Sequence, residues 1–162
     1  MTTDRPFSHL NAEGELRMVD VSEKAPTRRR AEASCLVVTS ADLAALPARE
    51  DGLGARHAAR VAGVLAAKRT DELIPLCHSL DLSDVDVRVT PVEGGLAVAA
   101  TVTATQRTGV EMEALTACAV AALSLVQAIG DVDPDAHVEA LALDAKEGGR
   151  SGAWGRAVPG AP

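Results

Sequence analysis

Tyrosine is absent from this 162-residue chain, and Phe7 and Trp154 are its only phenylalanine and tryptophan. With so few aromatics the core must be filled by small aliphatic side chains, mainly Ala and Val, which favours close approach of helices to a sheet. Cysteine is scarce as well. Cys35, Cys77 and Cys118 are odd in number, far apart and without C-x-x-C spacing, so neither a disulfide framework nor a zinc site is indicated. No stretch approaches the roughly 18 consecutive apolar residues of a membrane span. The N-terminal MTTDRPFSHL lacks the charged-then-apolar order of a signal peptide, which makes the cytoplasm the expected compartment. Net positive charge is missing too. A formal charge of −7 argues against nucleic acid or a membrane surface as partner, because both need a basic footprint. A small phosphorylated substrate stays open, since it needs only a local cluster of cations.

What remains is enough for one folded domain: 47% of the residues are hydrophobic. Residues 1–15 read as a lead-in, 16–154 as the domain and 155–162 as a flexible tail. Within the domain, Leu16–Val21 and Arg30–Thr39 read as extended segments. Ser40 is a candidate N-cap for a short helix, ADLAAL, that Pro47 ends. An Ala-rich helix is expected over Ala55–Lys68, with Ala58, Ala59, Ala62, Leu65 and Ala66 as its apolar stripe. Strict alternation over Asp84–Thr90 and Leu96–Val102, with a turn at Pro91–Gly95, predicts a hairpin. Residues 109–129 form the strongest helical pattern, with Leu115, Ala119, Ala122, Leu123 and Val126 at helical spacing and Gly130 as its C′ residue. A last strand is expected over His137–Ala145. Hairpin strands with segregated helices imply an α+β sandwich, an antiparallel sheet with helices on one face.

Four segments place polar residues where a scaffold does not need them. Lys68 and Arg69 end the Ala-rich helix, and Cys77-His78 follow Pro75. An imidazole there suits phosphate binding or proton transfer near neutral pH. The competing reading is that the cations complement the helix dipole and His78 is an ordinary loop histidine. Glu111-Met112-Glu113 open the long helix, where carboxylates also serve the dipole. Residues two apart on a helix diverge by about 200°, so both glutamates face one pocket only if Glu111 precedes the regular helix. Lys146-Glu147-Gly148-Gly149-Arg150-Ser151-Gly152 lets backbone approach a phosphate, or is simply a flexible end. Arg28-Arg29-Arg30 cannot all point one way on a strand.

Taken in order, MVDVS (Met18–Ser22), AAKRTDELIPLCHSL (Ala66–Leu80), RTGVEMEALTA (Arg107–Ala117) and KEGGRSG (Lys146–Gly152) resemble the motifs of the cyclic pyranopterin monophosphate synthases, the MoaC family of molybdenum-cofactor biosynthesis. The resemblance covers about residues 7–154. It implies a ferredoxin-like fold and a homohexamer built as a trimer of dimers, with active sites at dimer interfaces. It implies a lyase that rearranges a cyclised dihydro-GTP to a pyranopterin cyclic phosphate and releases pyrophosphate. No cofactor is required and no resident metal is implied, with Mg²⁺ as an optional companion of the substrate phosphates. Carried over by motif, Lys68, His78 and Lys146 are the catalytic candidates. Cys77, Glu111, Met112 and Glu113 are candidates for binding the substrate, the three helix residues by holding its guanine-derived ring. His9, Arg29 and Arg150 are further candidates for phosphate contacts, from this chain or a neighbouring subunit.

The chain also departs from the family pattern. Gly52 stands where a loop lysine is expected, and Gln127 and Gly130 stand where the long helix would end with an aspartate and a lysine. Ser79 replaces a proline. Glycine cannot move a proton and glutamine is no carboxylate base. Each missing acid or base typically costs about 10²–10⁴-fold in rate. Altered or weakened catalysis is therefore the expectation, alongside two alternatives: action on another purine- or pterin-like substrate, or a non-catalytic binding paralogue.

Overall fold

The structure, a computed structural model, describes residues 9–11, 13–41 and 54–157. The helix expected after Ser40 lies beyond Ala41 outside those residues, as does Gly52.

Alternation decides which face of each strand is covered. β1 (Thr27–Val38) buries Ala31, Ala33, Cys35 and Val37 on one face. β2 (Asp84–Val92) and β3 (Gly95–Gln106) form the expected hairpin. β3 pairs antiparallel with β1 in unbroken register from Thr27–Gln106 to Val38–Gly95, and its Val98, Ala100, Val102 and Ala104 are buried. Three helices connect the strands. These are α1 (Ala55–Ala67), the one-turn α2 (Thr70–Leu73) that Pro75 keeps short, and α3 (Glu111–Ile129). α3 covers β1, β3 and β4 (His137–Glu147), while α1 lies beside α3 and over β2. Sheet order is β2-β3-β1-β4-β5, all antiparallel, with β5 (Trp154–Gly155) on the edge. Setting α2 and β5 aside, the βαββαβ order and helices on one face are the ferredoxin-like arrangement.

β4 departs from a plain strand. Its register with β1 slips by one residue twice, between Glu32 and Ala33 and between Ser34 and Leu36. Each slip is a β-bulge with one extra residue in β4. Ala140, in the second, takes a left-handed φ of 53°. In an uninterrupted strand Leu143 would face away from both Val138 and Lys146. The bulges bring all three to the helix side, opposite Val37, Ala33 and Ala31 of β1.

Small residues let the helices close on each other. A Cβ at Gly63 would lie 2.7 Å from the Ala117 carbonyl oxygen, so α1 and α3 touch backbone to backbone. Cys118 on α3 donates its S–H to the Cys35 sulfur at 3.3 Å, and all three cysteines are free thiols. By length and composition α3 could cross a bilayer, yet it opens with two glutamates and half its apolar stretch is buried in this core.

Several expectations need correction. The buried face of α1 is Ala59, Gly63, Ala66 and Ala67, whereas Leu65 is 52% exposed. On α3 the buried face is Ala114, Ala117, Cys118, Ala121, Ala122, Leu125 and Ile129, and Leu123 is 59% exposed. Alanine is six of the 13 residues of α1 and six of the 19 of α3, and where the two helices meet closely the small residues face inward while Leu65 and Leu123 are left outside. Gly130 keeps right-handed φ −56° and continues the helical bonding to Val126 rather than closing it as a left-handed C′. Leu16–Val21 forms no strand, only a Leu10–Leu16 bridge, because it finds no strand to pair along. The start of the expected tail is paired: Gly155 lies opposite Ala145, and the Arg156 N–H donates to the Asp144 carbonyl.

Candidate active site

β1 begins, β3 and β4 end, and α3 starts at the same end of the sandwich. A cleft of about 360 Å³ opens there, within the range of small-molecule sites (about 300–1,000 Å³). Cys77 and His78 line it from the loop after α2, Glu111, Met112 and Glu113 from the first turn of α3, and His9 from the N-terminal segment. Three consecutive helical residues share one cleft because it wraps round the helix start. Glu111 is itself the first residue of α3 and does not precede the helix, so the condition expected from helix geometry is not met; both glutamates reach the cleft because it surrounds that first turn.

Lys146 joins this group through Glu111, whose Oε1 accepts its Nζ–H at 2.9 Å. Thr108-Gly109 brings the backbone up to the same carboxylate, and a methyl group at Gly109 would overlap it. Glu113 is different. It is 4% exposed, and burial, reinforced by the Glu111 and Asp71 carboxylates, raises its pKa to about 7. Burial and the same acidic surroundings raise the Cys77 thiol, so it is not set up as a thiolate nucleophile. Asp20 lies close enough to His78 for the imidazole's charge to help lower its carboxyl, after the Ser22 hydrogen bonds that do most of it.

Other candidates fall elsewhere. Lys68 is the exposed C-cap of α1 and does not line the cleft. Arg150 is exposed and does not line it either. Arg29 is on the helix side of β1, opposite Ala104, but donates to the Gln106 and Arg107 carbonyls. Gly148 and Gly149, with φ 98° and 69°, leave room for the Arg28 carbonyl and the Arg29 guanidinium. Those glycines therefore seat protein groups rather than form an empty phosphate loop. Arg28 and Arg30 point to the opposite face, where Arg30 pairs with Glu32.

Sequence reasoning missed Lys24, which lines the cleft from the N-terminal segment beside Val19; Val19, Leu76, Leu80, Thr108 and Gly109 lay within the motifs quoted above but were not named as site residues. Lys24 sits in a polar loop without periodicity, where a lysine carries no signal of its own. The Arg107 guanidinium donates to the Ser22 carbonyl and ties that segment across the site. Gln127 and Gly130 are exposed at the other end of α3, about 25 Å from Glu111 at 1.5 Å per residue. They are no part of this chain's own cleft. Among the described residues no group of three or more His, Cys, Asp or Glu is placed to hold a metal ion.

Residues 18–149 match the profile of the MoaC family. The chain belongs to that family. It is 50% identical over 153 residues to cyclic pyranopterin monophosphate synthase 2 of Mycobacterium tuberculosis, covering 93% of this chain and 91% of the relative. Synthase 1 of the same organism is 46% identical over 94% of the chain and 91% of the relative. The cyclic pyranopterin monophosphate synthase of Streptomyces griseus is 42% identical over the whole chain and 93% of its own length. One mycobacterial genome thus carries two members of this MoaC family, both about equally similar to the present chain.

Proposed function

We propose that this MoaC-family chain is a lyase of the cyclic pyranopterin monophosphate synthase type, acting in molybdenum-cofactor biosynthesis. It binds a cyclised dihydro-GTP in the cleft at the start of α3 and rearranges it to a pyranopterin cyclic phosphate, with release of pyrophosphate. The observation that carries the reading is one cleft combining His78, Glu111, Met112 and Glu113, in a chain half identical to a named synthase. The carboxylates accept N–H groups of the guanine-derived ring, and His78 exchanges protons at the reacting end. Lys24 lines the cleft and supplies positive charge for phosphate. The reading needs no cofactor, with Mg²⁺ only as a companion of the phosphates.

The reading includes a cytoplasmic homohexamer, a trimer of dimers. Gln127 and Gly130 then face a neighbouring subunit's cleft, which accounts for their distance from this one. Because neither side chain moves a proton, turnover is slower than in a family member with the aspartate and lysine. Purified protein incubated anaerobically with freshly made cyclised dihydro-GTP should release pyrophosphate and form the pterin product. Binding without product would contradict the assigned reaction and direct the search to another purine- or pterin-like substrate.

A further inference from the structure

Lys146 and Glu111 meet only because β4 is bulged. Ala31 of β1 pairs with Lys146, and Ala31 faces the helices. Without the extra residue at Asp144, Lys146 would take the opposite face from Leu143 and could not reach α3. As built, the lysine crosses under the first turn of α3 and donates to Glu111 Oε1 at 2.9 Å, with both side chains about one-third exposed. A second contact restrains the same carboxylate. Its Oε2 lies over the Cα of Gly109, where any side chain would overlap it. One oxygen is held by the lysine and the other is left against the cleft wall.

Charge argues against Lys146 as a phosphate ligand. Drawing its ammonium away to a phosphate would strand the Glu111 carboxylate next to an anion, in a cleft that already holds Glu113. The pair as it stands is neutral and suits a ring edge that donates N–H. Lys24 lines the same cleft and forms no ion pair among the described residues.

We propose that Lys146 is a positioning residue that acts through Glu111: with Gly109 it fixes the carboxylate so that Oε2 accepts a hydrogen bond from an N–H on the substrate ring. This rests on the substrate class proposed above. A fixed acceptor distinguishes a ring that donates at that edge from one that accepts there, which makes the clamp a determinant of specificity.

The test is a double-mutant cycle on the dissociation constant of the cyclised dihydro-GTP, measured anaerobically by calorimetry for wild type, Lys146→Met, Glu111→Gln and the double variant. Lys146→Met should weaken binding about tenfold, the size of a lost charge-assisted contact. The double variant should bind no more weakly than Glu111→Gln alone. Lys146→Arg, which keeps the ion pair, should restore most of the affinity. Gly109→Ala, whose methyl displaces the carboxylate, should reproduce the Lys146→Met loss. Inorganic pyrophosphate, used as a phosphate-only probe, should bind equally well to wild type and Lys146→Met. Additive losses in the cycle, or a tenfold loss of pyrophosphate binding, would overturn the positioning role while leaving the proposed function standing. Failure of the wild type to bind the dihydro-GTP would overturn the proposed function itself.

Discussion

Each end of α3 has a buried carboxyl close by, and the two are opposites. Glu113, in the first turn, is 4% exposed, and Asp133, just past the last turn, is 8% exposed. Asp133 accepts hydrogen bonds from the Thr39 hydroxyl at 2.7 Å, the Ser40 N–H at 2.8 Å, the Ser40 hydroxyl and the Asp135 N–H. Those donors hold its carboxyl below the usual range. Glu113 is desolvated by burial, with little more than its own backbone N–H as donor and two acidic neighbours besides, so its pKa rises to about 7. Both expose little surface, but Glu113 lies deeper in the protein and has fewer donors. A buried carboxylate given its donors ties a fold together, whereas one denied them costs stability and is available to a ligand.

Four experiments bear on that contrast, from the largest expected effect to the smallest. His78→Ala should lower turnover by about 10²–10⁴-fold, because a positioned proton carrier is lost. Unchanged turnover in the pyrophosphate-release assay would remove His78 from the chemistry and leave the N-terminal end without a reacting group. Gly63→Val should destabilise by about 1–3 kcal/mol, since a side chain must fit where α1 and α3 touch. A urea midpoint equal to wild type would show that the helices do not close as tightly as described.

The two carboxyls also predict opposite pH slopes. The folded pKa of Glu113 lies above its unfolded value of 4.5, so the folded state binds the extra proton between pH 4.5 and about 7. Stability tied to that proton is complete below pH 4.5 and is lost as the pH rises through 7. Glu113→Gln should therefore gain on wild type across that window and be about 2 kcal/mol more stable at pH 8. A constant difference between the urea midpoints from pH 5 to 8 would contradict this. For Asp133 the sign reverses. Its folded pKa is below the unfolded 3.8, so its contribution is present above pH 3.8 and fades as the pH falls further. Asp133→Asn should lower the melting temperature by a few degrees at neutral pH and by less at pH 3. Equal losses at both values would mean that the carboxylate charge is not what Thr39 and Ser40 recognise.

Periodicity exposed some of this architecture and hid the rest. The hairpin of β2 and β3 was legible because Val85, Val87 and Val89 alternate strictly, and α3 was legible because nothing in it breaks a helix. The inward faces of α1 and α3 were not, because alanines spread round both helices blur the contrast between faces. Bulges erase alternation, so β4 gave no sign that Lys146 would face α3. The Glu111–Glu113 segment and His78 stood out as polar residues at a helix start and in a proline-constrained loop. Lys24 did not, because its approach to the cleft depends on a non-periodic segment held by Arg107. The glycines at 148 and 149 suggested phosphate binding, but the groups that fill their space, Arg28 and Arg29, are remote in sequence.

The central claim is that the start of α3 holds the substrate ring in this chain's own cleft. The most direct measurement is the dissociation constant of the cyclised dihydro-GTP for wild type, Glu113→Gln and Asp133→Asn at pH 8. At that pH Glu113 is ionised in the folded protein, the form that accepts the ring's N–H groups in the proposed reading. Glu113→Gln should bind about tenfold or more weakly, while Asp133→Asn matches wild type. Equal affinity in all three proteins would contradict the assignment of the cleft.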